Sequence, residues 1–512
     1  MKINKKILFE IGLFIAFTIF IGSIVFNKSI GDMDEIWNYN FANCIAKGLV
    51  PYKNFSMVQT PLLPIIAGVV LKLFSNSLLT MRILAVLLGS SIMFMVYKIL
   101  DKLKVNKSIN ILSTISLLFI LKDYFCIDYN FFAIFLTLLI IYFELKLNMK
   151  KVYSNIVIGF LAGLVLLTKQ TIGGFVCLGI VAYKLVFETY KYKNTKQKID
   201  IKSILYRILG GIIPTLILLI YLFINNAIKD FIDYAILGVT TFSNSIKYIH
   251  LIESSEIIIK ILSIYIPISF ALMTIYSIKK RDKKLFTVLT LSIASMILAF
   301  PISDNIHFLI GIIPSIVGNI YLLNQLLKKI YINKMLPIKL FLNAFSYLIL
   351  VYVFVIGITN EYNNIMQTKY YSKLKHFENI PISEDFEETI KTMDNYIKYN
   401  EKDVYILNFD AAIYMIPLDI YHKNFDMLMN GNFGSKGNRG LIDNIKSIEN
   451  AEFLILNKDN TKNWQHPHEV TNYVENNYNK IGNIGNYDIY QKRSTSSRFE
   501  LTKKENNYGR IF

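Results

Sequence analysis

The chain has 512 residues, of which 53% are hydrophobic and only 18% charged, with a formal charge of +18. Soluble domains carry roughly a quarter of their residues charged, so this balance excludes a soluble globular protein and indicates an integral membrane protein. The basic residues lie between apolar runs and form no compact basic domain, which is the positive-inside pattern and gives no footprint for nucleic acid.

Met1 to Phe26 starts basic and turns apolar without a small-residue cleavage site, and reads as a retained signal-anchor helix. About 20 apolar residues cross a bilayer as a helix. Runs at 7–26, 79–98, 108–122, 130–146, 153–169, 171–187, 204–224, 257–277, 285–301, 307–325 and 338–357 give about 11 transmembrane helices. The run 62–74 is short and broken by Pro61 and Pro64, and is read as an interfacial helix inside a first outer loop, 27–78. With that choice the clusters around Lys2–Lys6, Lys98–Lys107, Lys184–Lys202, Lys279–Lys284 and Lys328–Lys339 share one side. The amino terminus is then cytoplasmic and the carboxyl terminus outside. The outer loops are the ones that carry polar clusters: 31–63, 122–130, 169–170, 225–256 and 301–307.

Residues 1–357 are thus read as a transmembrane catalytic domain and 358–493 as a small extracytoplasmic α/β domain, followed by a polar, disordered tail at 494–512. In the outer part, 383–400 is an amphipathic helix capped by Ser383, runs 403–408, 451–457 and 487–492 are strands, and 440–449 and 467–478 are helices. His466 and His468 are two apart with no third ligand, and read as a surface turn rather than a metal site. The three cysteines show no metal-ligand spacing; Cys44 and Cys126 both fall outside, where a bond between them is open.

The first outer loop holds Asp32, Asp34 and Glu35, which by themselves fit a capped helix amino terminus. A longer pattern follows: DE at 34–35, GLVPYKNF at 48–55, QTPLL at 59–63 and KLF at 72–74, then LLTMRILAVLLG at 78–89, FCIDYNFFAIFLTL at 125–138, LLTKQ at 166–170 and FPISDNIHFLIGIIP at 300–314. In order and sidedness this resembles the GT-C superfamily of polyprenyl-phosphate-sugar-dependent glycosyltransferases. That group includes protein O-mannosyltransferases, the lipid A aminoarabinose transferase and bacterial family 39-like enzymes.

The resemblance implies an inverting glycosyltransferase of a bacterial cell membrane. It would move a sugar from a polyprenyl-phosphate carrier to an envelope glycan, glycolipid or protein acceptor at the outer face, with Asp34 as general base and Glu35 capping or orienting. Physical chemistry agrees: phosphate is a good leaving group, so the acceptor hydroxyl is the partner that needs a carboxylate. Lys169 and Arg82 match basic positions of the family and are candidates for the donor phosphate; lysine or arginine at a helix end otherwise snorkels to the headgroups. The lysine of one branch's Glu-Lys-Pro is Thr60 here, which shifts that task toward Lys53. Asp128 either caps the next helix or contacts acceptor or metal. Asp304 and His307 match a recurrent Asp-x-x-His and either face one cavity or begin a helix. No cofactor is implied, and a divalent cation, Mg or Mn, is left open. The competing reading is a transporter or flippase of lipid-linked sugars, which would keep polar residues and broken helices at the bilayer midplane and show repeated halves. A silent scaffold would lack the acid that Asp34 supplies.

Overall fold

The computed structural model describes residues 5–31, 33–196, 199–241, 245–329, 336–366, 369–400, 403–425, 428–431, 433–448, 451–457 and 467–492. Helix α1 (Lys5–Val25) is followed by two short helices, α2 (Met33–Ala46) and α3 (Leu62–Leu73), and then by α4 (Leu78–Lys102). α1 and α4 are antiparallel along their whole length. Lys6 pairs with Asp101 at 2.9 Å, Lys98 with Glu10 at 2.8 Å, Thr18 donates to Ser90 at 3.2 Å, and Arg82 donates to the carbonyl of Lys28 at 2.6 Å. The end of α1 and the start of α4 therefore share one face of the bundle, and the chain leaves and returns there. At 1.5 Å per residue α3 extends about 18 Å, well short of the roughly 30 Å hydrocarbon core. Its outer side carries exposed Ile66, Val69, Leu73 and Phe74, as an interfacial helix requires.

The next helices are α5 (Lys107–Leu121), α6 (Tyr129–Lys146), α7 (Val152–Thr168), α8 (Gln170–Thr195) and α9 (Ile201–Ile224). Side-chain oxygens of Ser77, Asn106 and Asp128 take the first free amides of α4, α5 and α6 and set where those helices start. α7 and α9 run parallel at very short range because their contact is made of glycines. A Cβ on Gly159 would lie 1.9 Å from the carbonyl oxygen of Arg207, and one on Gly163 2.6 Å from that of Gly211. This is small-residue packing, the usual way helices associate in lipid.

Between bundle and outer unit lie short α10 (Ile228–Phe231), a π-helical turn at Ile232–Leu237 and short α11 (Ile249–Ile252). Then come α12 (Ile257–Lys280), α13 (Lys283–Ser295), α14 (Asn305–Gly311), α15 (Ile313–Lys329) and α16 (Leu336–Met366). Among the described residues 7 helices are long and apolar enough to cross a bilayer, and the pair α14 and α15, bent by 48°, makes an eighth. The expected spans at 108–122, 153–169 and 285–301 are the shorter α5, α7 and α13. α9, α12 and α16 expose large apolar side chains such as Leu216, Ile261 and Val351 to lipid. The protein is a multi-pass membrane protein.

The outer part contains α17 (Glu384–Tyr399), β1 (Asp403–Leu407), α18 (Ala411–Met415), α19 (Gly437–Ser447), β2 (Ala451–Asn457), α20 (His468–Asn477), β3 (Tyr478–Ile484) and β4 (Tyr487–Lys492). Ser383 caps α17, as expected, through the Phe386 amide. The sheet order is β1-β2-β4-β3, with β1 parallel to β2 and the other pairs antiparallel. β3 is an addition to the three expected strands. It is an edge strand, its sequence YNKIGNI lacks apolar alternation, and among the described residues it pairs only with β4, across a turn where Gly485 takes φ +52°. Cys44 and Cys126 are buried thiols rather than a disulfide. Asp32, Trp464, His466 and the tail from 494 lie outside the described residues, and His468 opens α20.

Candidate active site

Neighbouring residues on a helix point about 100° apart, so the Asp34–Glu35 pair at the start of α2 is split between two destinations. Glu35 turns inward to Arg82: Nε donates to Oε1 at 3.1 Å and Nη2 to Oε2 at 3.0 Å. The same guanidinium donates to the carbonyls of Lys28 at 2.6 Å and Ser29 at 3.3 Å, and has no exposed surface. A bidentate pair this deeply buried fixes where α1, α2 and α4 meet, because removing either partner strands the other's charge.

Asp34 turns the other way and lines a cavity of about 650 Å³. The wall is completed by the helix ends that the topology brings to this face. Lys28, just beyond α1, lines it and donates to the carbonyls of Asp123 at 2.6 Å and Phe125 at 3.3 Å. Lys169 is an extended residue between α7 and α8. Its ammonium donates to Asn130 Oδ1 at 2.7 Å and lies 4.8 Å from the centre of the Tyr129 ring. Asp128 is buried behind that contact, where its Oδ2 accepts from the Asn130 amide at 2.9 Å. It shapes the turn that presents Asn130 and Tyr129 to Lys169. Gln170 spends both amide hydrogens on the carbonyls of Val58 at 2.7 Å and Ala235 at 2.9 Å. Thr60 donates to the Leu166 carbonyl at 2.9 Å, so the residue that replaces the family lysine straps the first loop to the end of α7.

Asp304, which also lines the cavity, caps α14. Its Oδ1 accepts from the His307 backbone amide at 2.8 Å and lies 2.8 Å from Nδ1 of the His307 ring. Burial alone would raise the Asp304 pKa, but the His307 bonds and the charge of Lys169 more than offset it and hold the carboxyl below its ordinary value.

The outer part closes the cavity from above. Trp37 lines the cavity and donates its indole N–H to the Phe409 carbonyl at 3.1 Å, Ser56 donates to Asn424 at 2.7 Å, and Met429 stands in the wall. Asp419 gathers Lys47 at 2.5 Å, Lys375 at 2.5 Å and His376 at 2.9 Å. Burial would raise its pKa, but these three partners prevail and depress it.

Of the residues expected from the sequence, Asp34, Lys169, Asp304 and His307 meet in one cavity, and Glu35, Asp128, Arg82 and Lys53 do not line it. Arg82 is consumed by Glu35, and Lys53 is an exposed residue of the turn between Pro51 and Phe55. Sequence pattern alone assigns no role to Lys28, Trp37 or Gln170. Lys28 had a signal: it is a lysine directly after the first span, at the start of the loop that carries Asp34.

Over the whole chain the architecture is similar to that of ArnT from Cupriavidus metallidurans bound to undecaprenyl phosphate, with a TM-score of 0.55 at 10% identity, covering 96% of this chain and 99% of that one. The apo oligosaccharyltransferase of Archaeoglobus fulgidus aligns with a TM-score of 0.50 at 11% identity over 89% of this chain and 70% of that one. The chain has the GT-C fold. No protein-family model and no curated protein sequence matches it. In this GT-C bundle the cavity lies at the helix ends that face the carboxyl-terminal unit. Among the described residues no three His, Cys, Asp or Glu side chains converge as a metal centre would need. The cavity thus offers the carboxylates of Asp34 and Asp123, two ammoniums, an Asp–His pair and aromatic surface, a set able to hold an anion and accept a proton.

Proposed function

We propose that this protein is an inverting glycosyltransferase that takes a sugar from a polyprenyl-phosphate carrier and passes it to an acceptor hydroxyl at the outer face of a bacterial cell membrane. The observation that carries this reading is that Asp34 and Lys169, far apart in the chain, line one cavity at the membrane-proximal helix ends. A lipid-linked phosphosugar presents its head group at that depth, and the similarly folded ArnT is described with undecaprenyl phosphate bound.

In this reading the donor phosphodiester lies against Lys169, whose position is fixed by Asn130 and Tyr129. The acceptor hydroxyl approaches the anomeric carbon from the face opposite the phosphate. As the new C–O bond forms, Asp34 takes the hydroxyl proton, and the bond from anomeric carbon to phosphate oxygen breaks with both electrons going to the phosphate. The configuration inverts in this single displacement. The ammonium of Lys169 gains interaction as the phosphate goes from one negative charge to two, which is stabilisation specific to the transition state. Glu35 and Arg82 hold the first turn of α2 so that Asp34 stays aimed at the cavity.

Mass analysis of envelope glycans, glycolipids and teichoic acids tests the reading. Cells with the protein are expected to carry a glycan mass that is absent from cells lacking it and from cells carrying only the Asp34→Asn variant. Identical profiles in all three would refute the assignment.

A further inference from the structure

The cavity holds a proton acceptor that the mechanism above does not use. Because a carboxylate oxygen can only accept, the 2.8 Å contact between Asp304 Oδ1 and His307 Nδ1 places the ring's hydrogen on Nδ1. The backbone amide of His307 donates to the same oxygen at 2.8 Å, so side chain and helix start are pinned together. In the neutral ring the remaining nitrogen, Nε2, is an acceptor, on a side chain that lines the cavity. The carboxylates of Asp34, Asp123 and Asp304 line the same cavity and also accept only. The cavity's ammonium donors are Lys28 and Lys169. Lys28 is turned to the carbonyls of Asp123 and Phe125, and Lys169 is the one the donor phosphate claims.

We infer that His307 recognises the primary hydroxyl of the sugar being transferred and that this sugar is not a uronic acid. This rests on the donor reading given above. A sugar hydroxyl donates its hydrogen to Nε2, with Asp304 as the residue that positions the ring. A uronic acid, whose carboxylate has no hydrogen to give, meets acceptors and negative charge at the same place. Discrimination of this kind is strong because a site built to accept a hydrogen is left unpaired by the wrong ligand.

The test is binding to the full-length protein in detergent of bare undecaprenyl phosphate and of its synthetic sugar derivatives in matched pairs: glucosyl and glucuronosyl, galactosyl and galacturonosyl, mannosyl and mannuronosyl. In each pair the neutral form is expected to bind about tenfold more tightly, in line with the worth of a matched polar contact. His307→Ala should abolish that preference and leave affinity for bare undecaprenyl phosphate unchanged. His307→Gln, which keeps an acceptor oxygen, should restore part of it, and Lys169→Ala should weaken every ligand. Equal or tighter binding of the uronosyl forms by the unaltered protein would overturn the inference. So would a His307→Ala variant that loses bare undecaprenyl phosphate, which would make His307 a phosphate ligand. If the unaltered protein binds none of the ligands, it is the donor reading itself that falls.

Discussion

The inner and outer halves of the bundle both bury charge, and they do so to opposite ends. In the inner half Arg207 on α9 holds Glu144 on α6 at 2.6 Å, Asn155 at 3.0 Å and the Ile180 carbonyl at 3.1 Å, with Gly159 packed on its backbone. The Arg207 side chain has no exposed surface, and the cavity of about 340 Å³ that the residue borders is otherwise lined by small and apolar residues such as Gly163, Ile180 and Ile212. At the outer ends Asp34, Lys169, Asp304 and His307 are half-buried, and each faces a cavity large enough for a sugar phosphate. The outer end repeats the contrast within two residues, since Glu35 is locked to Arg82 while Asp34 faces the opening. A buried charge at membrane depth therefore marks function only where one side of it is left to a ligand; closed pairs such as Arg207–Glu144 and Arg82–Glu35 set the geometry.

This contrast is sharpest in variants that swap the two outcomes. Arg82→Ala should cost about 3–5 kcal/mol by leaving Glu35 buried and unpaired, read as a large fall in folded, membrane-inserted protein. Arg207→Ala should behave alike, and a stable, monodisperse Arg207→Ala protein would break the comparison. Lys169→Ala should leave folding intact and weaken undecaprenyl phosphate binding by about 10- to 100-fold, the worth of a charge-assisted contact. Unchanged affinity would reduce Lys169 to a residue that snorkels. The smallest effect is expected outside the membrane, at Asp419. A carboxyl whose pKa is depressed in the fold stabilises above its ordinary unfolded value and loses that contribution as pH falls through and below it. Hydrogen-exchange protection across the contact between the first loop and the outer unit, taken relative to the intrinsic exchange rate at each pH, should therefore fall on acidification, and Asp419→Asn should flatten that dependence.

The division between closed and open charge also explains what could be read from the sequence. The spans were legible because lipid demands long apolar runs, and the placement of 62–74 followed from its two prolines and its length. The strands at 403–408, 451–457 and 487–492 carry apolar β-rich runs, whereas edge strand β3 is buried only at its two ends, Tyr478 and Ile484, and has no apolar alternation between them. For the site, residue type and order brought out Asp34, Lys169, Asp304 and His307. They could not tell Asp34 from Glu35 by direction, nor reveal that Arg82 is spent on Glu35, because both depend on how α2 and α4 pack. Asp128 reads the same in sequence whether it touches a ligand or holds the Asn130 amide. Lys28, Trp37 and Gln170 owe their places to partners 65 to 372 residues away, Ala235 for Gln170 and Phe409 for Trp37 among them, and no local pattern encodes such contacts.

The central claim is that Asp34 acts on the reacting hydroxyl and not on folding or donor capture. Asp34→Asn, purified beside the unaltered protein, measures it in one comparison of sugar transfer, undecaprenyl phosphate binding and thermal stability. Transfer should fall by about 10²- to 10⁴-fold, the usual contribution of a general base, while binding and stability stay as they were. Transfer at the unaltered rate would contradict the account.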